Sequence, residues 1–133
     1  MTNWVVCIGG SANQVPYLKE IRKKNFKVFL LDKNRDCPGK DFSNEYASIG
    51  YDKINELKLL TKSEFFNSNE IKYVFSAASQ FSQYGLSVFS ELLGLDFINK
   101  KNILSCLDKK IFYEKFNKFS APFPETVLIY NFK

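Results

Sequence analysis

No histidine occurs anywhere in the 133 residues. That absence removes imidazole general bases, serine–histidine nucleophile pairs and histidine-ligated zinc from the chemistry this chain performs by itself. Cysteine is scarce, and Cys7, Cys37 and Cys106 form no pair at metal-ligand or redox spacing. Reduced thiols in a cytoplasm are therefore expected. No apolar stretch approaches the roughly 18 residues of a membrane span, and no signal-peptide pattern opens the sequence, so neither a membrane span nor secretion is expected.

Acidic residues are outnumbered, leaving a net charge of +5. The densest basic groups, Lys19-Arg22-Lys23-Lys24, Lys100-Lys101 and Lys109-Lys110, are dispersed and not interleaved with aromatics as a nucleic-acid module requires. They read as solvated helix faces, and no nucleic-acid partner is expected.

What the chain has in quantity is apolar and aromatic surface: 45% hydrophobic residues, with 14 Phe and 7 Tyr. That composition excludes a disordered protein, and the length suits one domain burying about two-thirds of its unfolded surface.

The organising stretch is Trp4-Val5-Val6-Cys7-Ile8-Gly9-Gly10-Ser11-Ala12-Asn13-Gln14. It reads as strand, tight turn and helix N-terminus. Such a turn brings backbone close to a ligand and offers helix N–H groups to an anion, although a turn that merely joins strand to helix has the same composition. A helix follows over about Asn13–Lys24, with Ser11 or Asn13 as cap and Pro16 in its first turn. Phe26–Leu31 is the next strand, a continuous apolar run ending at Asp32. Lys33–Asn44, with Cys37-Pro38-Gly39, is a loop, and Tyr46–Ile49 a short third strand. Asp52 is placed to cap a helix carrying Ile54, Leu57 and Leu60 inward, and Thr61-Lys62-Ser63-Glu64 has capping-box spacing. Tyr73-Val74-Phe75 is a fourth strand, followed by Ser76-Ala77-Ala78-Ser79-Gln80. A helix then aligns Phe81, Tyr84, Val88, Phe89, Leu92 and Leu93 on one face and stops at Gly94.

Repeated strand–helix alternation predicts an α/β fold: an open, parallel, doubly wound Rossmann-like sheet with helices on both faces. Ligands of such sheets lie at the carboxyl ends of the strands, here the loops at Gly9–Asn13, Asp32–Gly39 and Ser76–Gln80. Beyond Gly94 the pattern changes. Asn102–Cys106 reads as a helical turn, Asp108–Phe119 as a helix with Ile111, Phe112, Phe116 and Phe119 at helical spacing, and Ser120-Ala121-Pro122-Phe123-Pro124 as a rigid exit. Thr126–Tyr130 reads as a strand that begins a further domain.

Taken together, Gly9-Gly10-Ser11, Leu31-Asp32 with Cys37-Pro38-Gly39, Ser76-Ala77-Ala78-Ser79, Leu93-Gly94-Leu95, Asp108-Lys109 with Phe112 and Phe116, and the Ala121-Pro122-Phe123-Pro124 exit resemble one family in order and spacing. That family is the ATP-grasp enzymes, and the resemblance is to their N-terminal, pre-ATP-grasp domain. It is nearest the carbamoyl-phosphate-synthase-like carboxylate–amine ligases, with the purine-pathway carboxylase subunit and biotin carboxylase as relatives. The resemblance implies a pre-ATP-grasp domain over 1–100 and, over 101–133, a helical connector and first strand leading to an ATP-grasp domain not included here.

It also implies a reaction in which ATP converts a carboxylate to an acyl phosphate that an amine attacks. The small-molecule carboxylate or amine is expected at Gly9, Gly10, Ser11, Asn13, Gln14, Asp32, Ser76 and Ser79, and Lys109 matches a nucleotide-contacting lysine. An exposed helix lysine is the other account of Lys109. The family's second phosphate-contacting lysine, Gly-rich flap and magnesium-holding acidic cluster have no counterpart in this sequence. ATP and magnesium are thus expected only in a complete enzyme, neither binding tightly to this chain, which is expected to be a fragment of a ligase or a split product and catalytically incomplete alone.

Two other readings stay open. Asp32 stands where a Rossmann dinucleotide site places its ribose-binding acid, although Ser11 and Gln14 occupy positions where that fingerprint needs glycine. A non-catalytic binding or dimerising module, with Phe123 and Phe132 as exposed aromatics, is the third, and a homodimer fits it.

Overall fold

The computed structural model describes residues 3–97 and 99–119. Four strands, β1 (Trp4–Ile8), β2 (Lys27–Leu31), β3 (Glu45–Ala47) and β4 (Ile71–Phe75), form one sheet in the order β3-β2-β1-β4. Every pairing is parallel, with Val6 opposite Phe29 and Val74. The central strands β1 and β2 are apolar on both faces, as strands covered from both sides must be.

Side-chain alternation divides the core in two. Trp4, Val6, Ile8, Phe29 and Leu31 meet Leu57, Phe66, Leu86 and Phe89 on one face. These last four belong to α2 (Ile54–Leu60), α3 (Glu64–Ser68) and α4 (Ser82–Leu92). On the opposite face Val5, Cys7, Val28 and Leu30 pack with Leu18 of α1 (Val15–Lys23) and with Cys37. The doubly wound α/β arrangement expected from the sequence is the one observed. Two further helices, α5 (Lys100–Leu107) and α6 (Lys109–Asn117), stack in succession on α4.

Helix ends follow local chemistry. Asn25, at φ 61°, closes α1: its N–H bonds Arg22 O at 3.0 Å, and Phe26 N–H bonds Ile21 O at 3.4 Å. Gly94, at φ 67°, closes α4 in the same manner, with Leu95 N–H on Ser90 O at 2.9 Å. Asp108 caps α6, its carboxylate accepting the N–H groups of Lys110 and Ile111.

Several local expectations are corrected. Neither Ser11 nor Asn13 caps with its side chain; a 3-10 turn over Ala12–Gln14 leads into α1 instead. Lys53, not Asp52, is the N-cap of α2, and Asp52 contributes only its backbone carbonyl there. No capping box forms at Thr61–Glu64. Thr61 ends α2 with its hydroxyl on Lys58 O, while Ser63 starts α3 with its Oγ buried and unpartnered. The third strand is Glu45–Ala47, one residue earlier than expected and two residues shorter at its end. On α4 the buried face runs through Ser82, Gly85, Leu86 and Phe89, so that Phe81 is 64% exposed. Gly85 there lets the helix approach Tyr51, and the aromatic stripe is rotated partly outward. On α6 no residue is buried, and Phe119 is 78% exposed. The Pro exit and the Thr126–Tyr130 strand lie outside the described residues.

Candidate functional site

The carboxyl ends of β1, β2 and β4 bring three loops together. Gly9 leaves β1 at φ 93°, a conformation open to glycine, and its N–H bonds Leu31 O at 2.7 Å. Gly10 is buried and gives its N–H to Asp32 Oδ2 at 2.6 Å, while its carbonyl accepts Gly39 N–H at 2.7 Å. The other Asp32 oxygen accepts Asn34 N–H at 2.8 Å. A Cβ on Gly10 would stand 2.6 Å from Cys37 Sγ, so glycine is demanded here by the second loop rather than by a ligand.

Gln14 is fully buried. Its Nε2 donates to Ile8 O at 2.8 Å, and its Oε1 accepts Ala77 N–H at 3.0 Å from the β4 loop. Burying the carboxamide costs little because these two bonds are made. A Cβ on Gly9 would lie 2.5 Å from Gln14 Nε2 and 2.8 Å from Ala78 Cβ, so the first glycine makes room for this side chain. Ser76 Oγ also reaches Ile8 O at 2.8 Å and lies 2.8 Å from Ser82 Oγ. Ser82, buried, bonds Ser79 O at 2.6 Å, and Ser79 Oγ accepts Ser82 N–H at 3.3 Å.

Seven of the eight expected contact residues thus have groups engaged with protein: Gly9, Gly10, Gln14, Asp32, Ser76, Ser79 and, through its carbonyl alone, Ser11, which accepts Gln14 N–H at 2.9 Å. Ser11 and Asn13 differ. They and Ala12 are exposed, and the three successive N–H groups have no protein acceptor among the described residues. They sit where the helical segment presents its positive end. Chemically, these N–H groups offer donors and a favourable dipole to an anionic group, while the Asp32 carboxylate is already held by two backbone amides.

Lys109 is apart from this cluster. It opens α6, which packs on α5, and no hydrogen bond or ion pair among the described residues joins its ammonium to the loops. Beside the β4 loop is a hollow of about 250 Å³ lined by Gln80, Gln83, Asn102, Ile103, Cys106 and Leu107. Gln83 Nε2 donates to Ser76 O at 3.2 Å. Sequence reasoning missed Ser82 and Gln83, although the Ser79-x-x-Ser82 spacing is a local capping signal for the loop.

Burial, reinforced by the Asp32 charge, pushes the Cys37 thiol above its ordinary range. Burial likewise raises Tyr46, whose hydroxyl reaches Asp32 O at 2.8 Å and Asn34 O at 3.0 Å and braces the β2 loop from β3. Among the described residues no three acidic, cysteine or histidine side chains gather to hold a metal ion, and no helix is long and apolar enough to cross a membrane.

No family model and no curated protein matches the sequence. Solved structures do match the fold. Phosphoribosylglycinamide synthetase from Anaerococcus prevotii superposes with a TM-score of 0.75 at 15% identity, over 90% of this chain and 29% of that one. N5-carboxyaminoimidazole ribonucleotide synthetase from Thermotoga maritima gives 0.59 at 21% identity, over 94% and 32%. N5-carboxyaminoimidazole synthetase from Staphylococcus aureus, complexed with ADP, gives 0.56 at 20% identity, over 86% and 29%. The chain spans less than a third of the length of each of these structures. Its fold is that of the N-terminal, pre-ATP-grasp domain of ATP-grasp enzymes.

Proposed function

We propose that this chain is the substrate-binding, pre-ATP-grasp part of an ATP-dependent carboxylate–amine ligase acting through an acyl phosphate. The observation that carries the reading is the superposition of the four-stranded parallel sheet on phosphoribosylglycinamide synthetase over 90% of this chain but only 29% of that one. Whether the ligase is nearer carbamoyl-phosphate synthase or the synthetases that superpose, the chemistry proposed is the same C–N bond formation.

In this reading the acceptor substrate, a small carboxylate or amine, meets the loops Gly9–Gln14 and Ser76–Ser79. The exposed N–H groups of Ser11, Ala12 and Asn13 receive its anionic group, with the Ser11 hydroxyl and Asn13 carboxamide beside them. Gly9, Gly10, Gln14, Asp32, Ser76 and Ser79 shape that surface. ATP and magnesium belong to an ATP-grasp portion supplied in cis or in trans, and Lys109 faces the nucleotide only once that portion is present. Magnesium would there neutralise the transferring phosphoryl group. This chain's part is to bind and orient, because phosphoryl transfer requires metal and phosphate clamps positioned together.

The test reads the coding DNA beyond the codon for Lys133 and assays the whole product. A frame carrying a lysine-ending strand, a Gly-rich flap and an acidic cluster, with ADP formation dependent on both carboxylate and amine, is expected. A whole product with no ATP turnover, or turnover by the 133-residue chain alone, would overturn the proposal.

A further inference from the structure

We infer that Gln14 is a positioning residue that locks the β1 and β4 loops into a single preformed arrangement. The inference deepens the reading of these loops as a substrate site and rests on it for its functional meaning; the coupling itself is a property of this chain. The side chain is fully buried, and each half of its carboxamide serves a different loop. Nε2 donates to Ile8 O, at the last residue of β1, and Oε1 accepts Ala77 N–H, between Ser76 and Ser79. Gln14 ends the 3-10 turn and is the N-cap of α1, directly after the exposed N–H groups at 11–13. One side chain therefore ties this turn to the β4 loop.

Alternatives for the same role are weaker. Ser76 also bonds Ile8 O, but it belongs to the β4 loop and leaves α1 untied. Ala77 N–H finds its acceptor in Gln14 Oε1. Position 9 must be glycine for this strut to form, since a Cβ there would meet the Gln14 amide and Ala78. A glutamine at this point also accounts for the absence of the glycine that a dinucleotide loop would carry. The third glycine of such loops serves close helix–strand packing, and here that position carries a side chain that binds the protein to itself.

The amide satisfies both partners at neutral pH, because one end donates and the other accepts. A glutamate can do so only when protonated. Ionisable groups on the surrounding elements are Cys7 on β1, Tyr17 on α1, Asp32 beyond β2 and Cys37. None of them is bonded to Gln14, whose partners are Ile8 and Ala77. A carboxylate at this buried position would face Ile8 O, so its proton would be retained well above the usual carboxylate range.

The experiment uses the whole chain with two variants. In Gln14→Met, amide exchange at Ala77 should accelerate about tenfold or more, while Val6 and Leu30 in the sheet change less than about twofold. In Gln14→Glu, Ala77 protection and thermal stability should return toward wild type as pH falls and be lost as pH rises through the raised carboxyl pKa. The sign is that of a carboxyl whose folded-state pKa is raised, stabilising when protonated. Should Gln14→Met not fold, the Gln14→Glu pH profile decides alone. Unchanged Ala77 exchange in a folded Gln14→Met, or a Gln14→Glu profile parallel to wild type, would overturn the inference. Neither readout involves ATP or substrate, so failure here is separable from failure of the ligase reading.

Discussion

The Asp32 carboxylate accepts the Gly10 amide at 2.6 Å across 22 positions of sequence, and this bond ties the end of β2 to the turn that leaves β1. An acid at this point in a doubly wound fold is open to the role of ribose ligand. Here one of its oxygens holds Gly10 and the other holds Asn34, so the residue serves first to build the loop pair. Asp32→Ala leaves the buried Gly10 N–H without a partner and is expected to cost about 1–3 kcal/mol. Chemical denaturation checks this, and an unchanged midpoint would contradict it.

The two glycines with positive φ should respond differently to alanine. Gly9→Ala combines φ 93° with a Cβ 2.5 Å from Gln14 Nε2 and 2.8 Å from Ala78 Cβ. Strain and overpacking together predict a loss of about 2–4 kcal/mol. Gly94→Ala, at φ 67° with nothing within 4 Å of the new methyl, should cost only about 1 kcal/mol. Equal costs for the two, measured by thermal or urea unfolding, would contradict the packing account of Gly9.

Alkaline pH should unfold the protein through its buried thiols. Burial pushes Cys7 up to about 12, so the folded state holds a proton that the unfolded state has released. Stability is full below the ordinary thiol pKa and falls as pH rises above it, by about 1.4 kcal/mol per pH unit until the folded thiol ionises. Cys37 adds to the same trend. The Cys7→Ala variant should show a shallower alkaline slope than wild type in urea titrations at pH 8–10, and identical slopes would contradict the burial argument. In the native chain a thiol reagent should modify exposed Cys106 and spare Cys7 and Cys37.

The chain alone should not turn over ATP. Inorganic phosphate release with ATP, with or without magnesium and with a set of small carboxylates, is expected to stay at the background rate. Clear turnover would contradict the division of labour between this domain and an ATP-grasp portion.

Much of the architecture was legible because it is written in apolar runs. Val28–Leu31 and Val5–Ile8 are apolar on every residue, which only a strand covered on both faces requires, and the parallel order then places the loops at one edge. The stops at Asn25 and Gly94 were legible because few residues adopt positive φ. What sequence patterning did not carry was the direction of the polar side chains. Gln14 and Ser82 turn inward to satisfy neighbouring loops, and nothing in a one-dimensional pattern separates an amide that meets a ligand from one that meets a backbone. Asp32 was recognised as a loop residue, yet its partner lies 22 positions away. The rotation of α4 escaped for a related reason. Periodicity favoured the large residues Phe81 and Leu92, while close packing favoured Ser82 and Gly85, whose Cβ would stand 2.3 Å from Tyr51 O.

The central claim is that the Gly9–Gln14 turn receives a small acceptor substrate rather than a dinucleotide. Titration of ¹⁵N-labelled chain, in turn with NADH and with a panel of small carboxylates and amines, addresses it directly by following the amides of Ser11, Ala12, Asn13 and Ser79. The account predicts saturable shifts of these amides with at least one carboxylate or amine and none with NADH. A saturable NADH response centred on Gly9–Asn13, with no response to any carboxylate or amine, would contradict it.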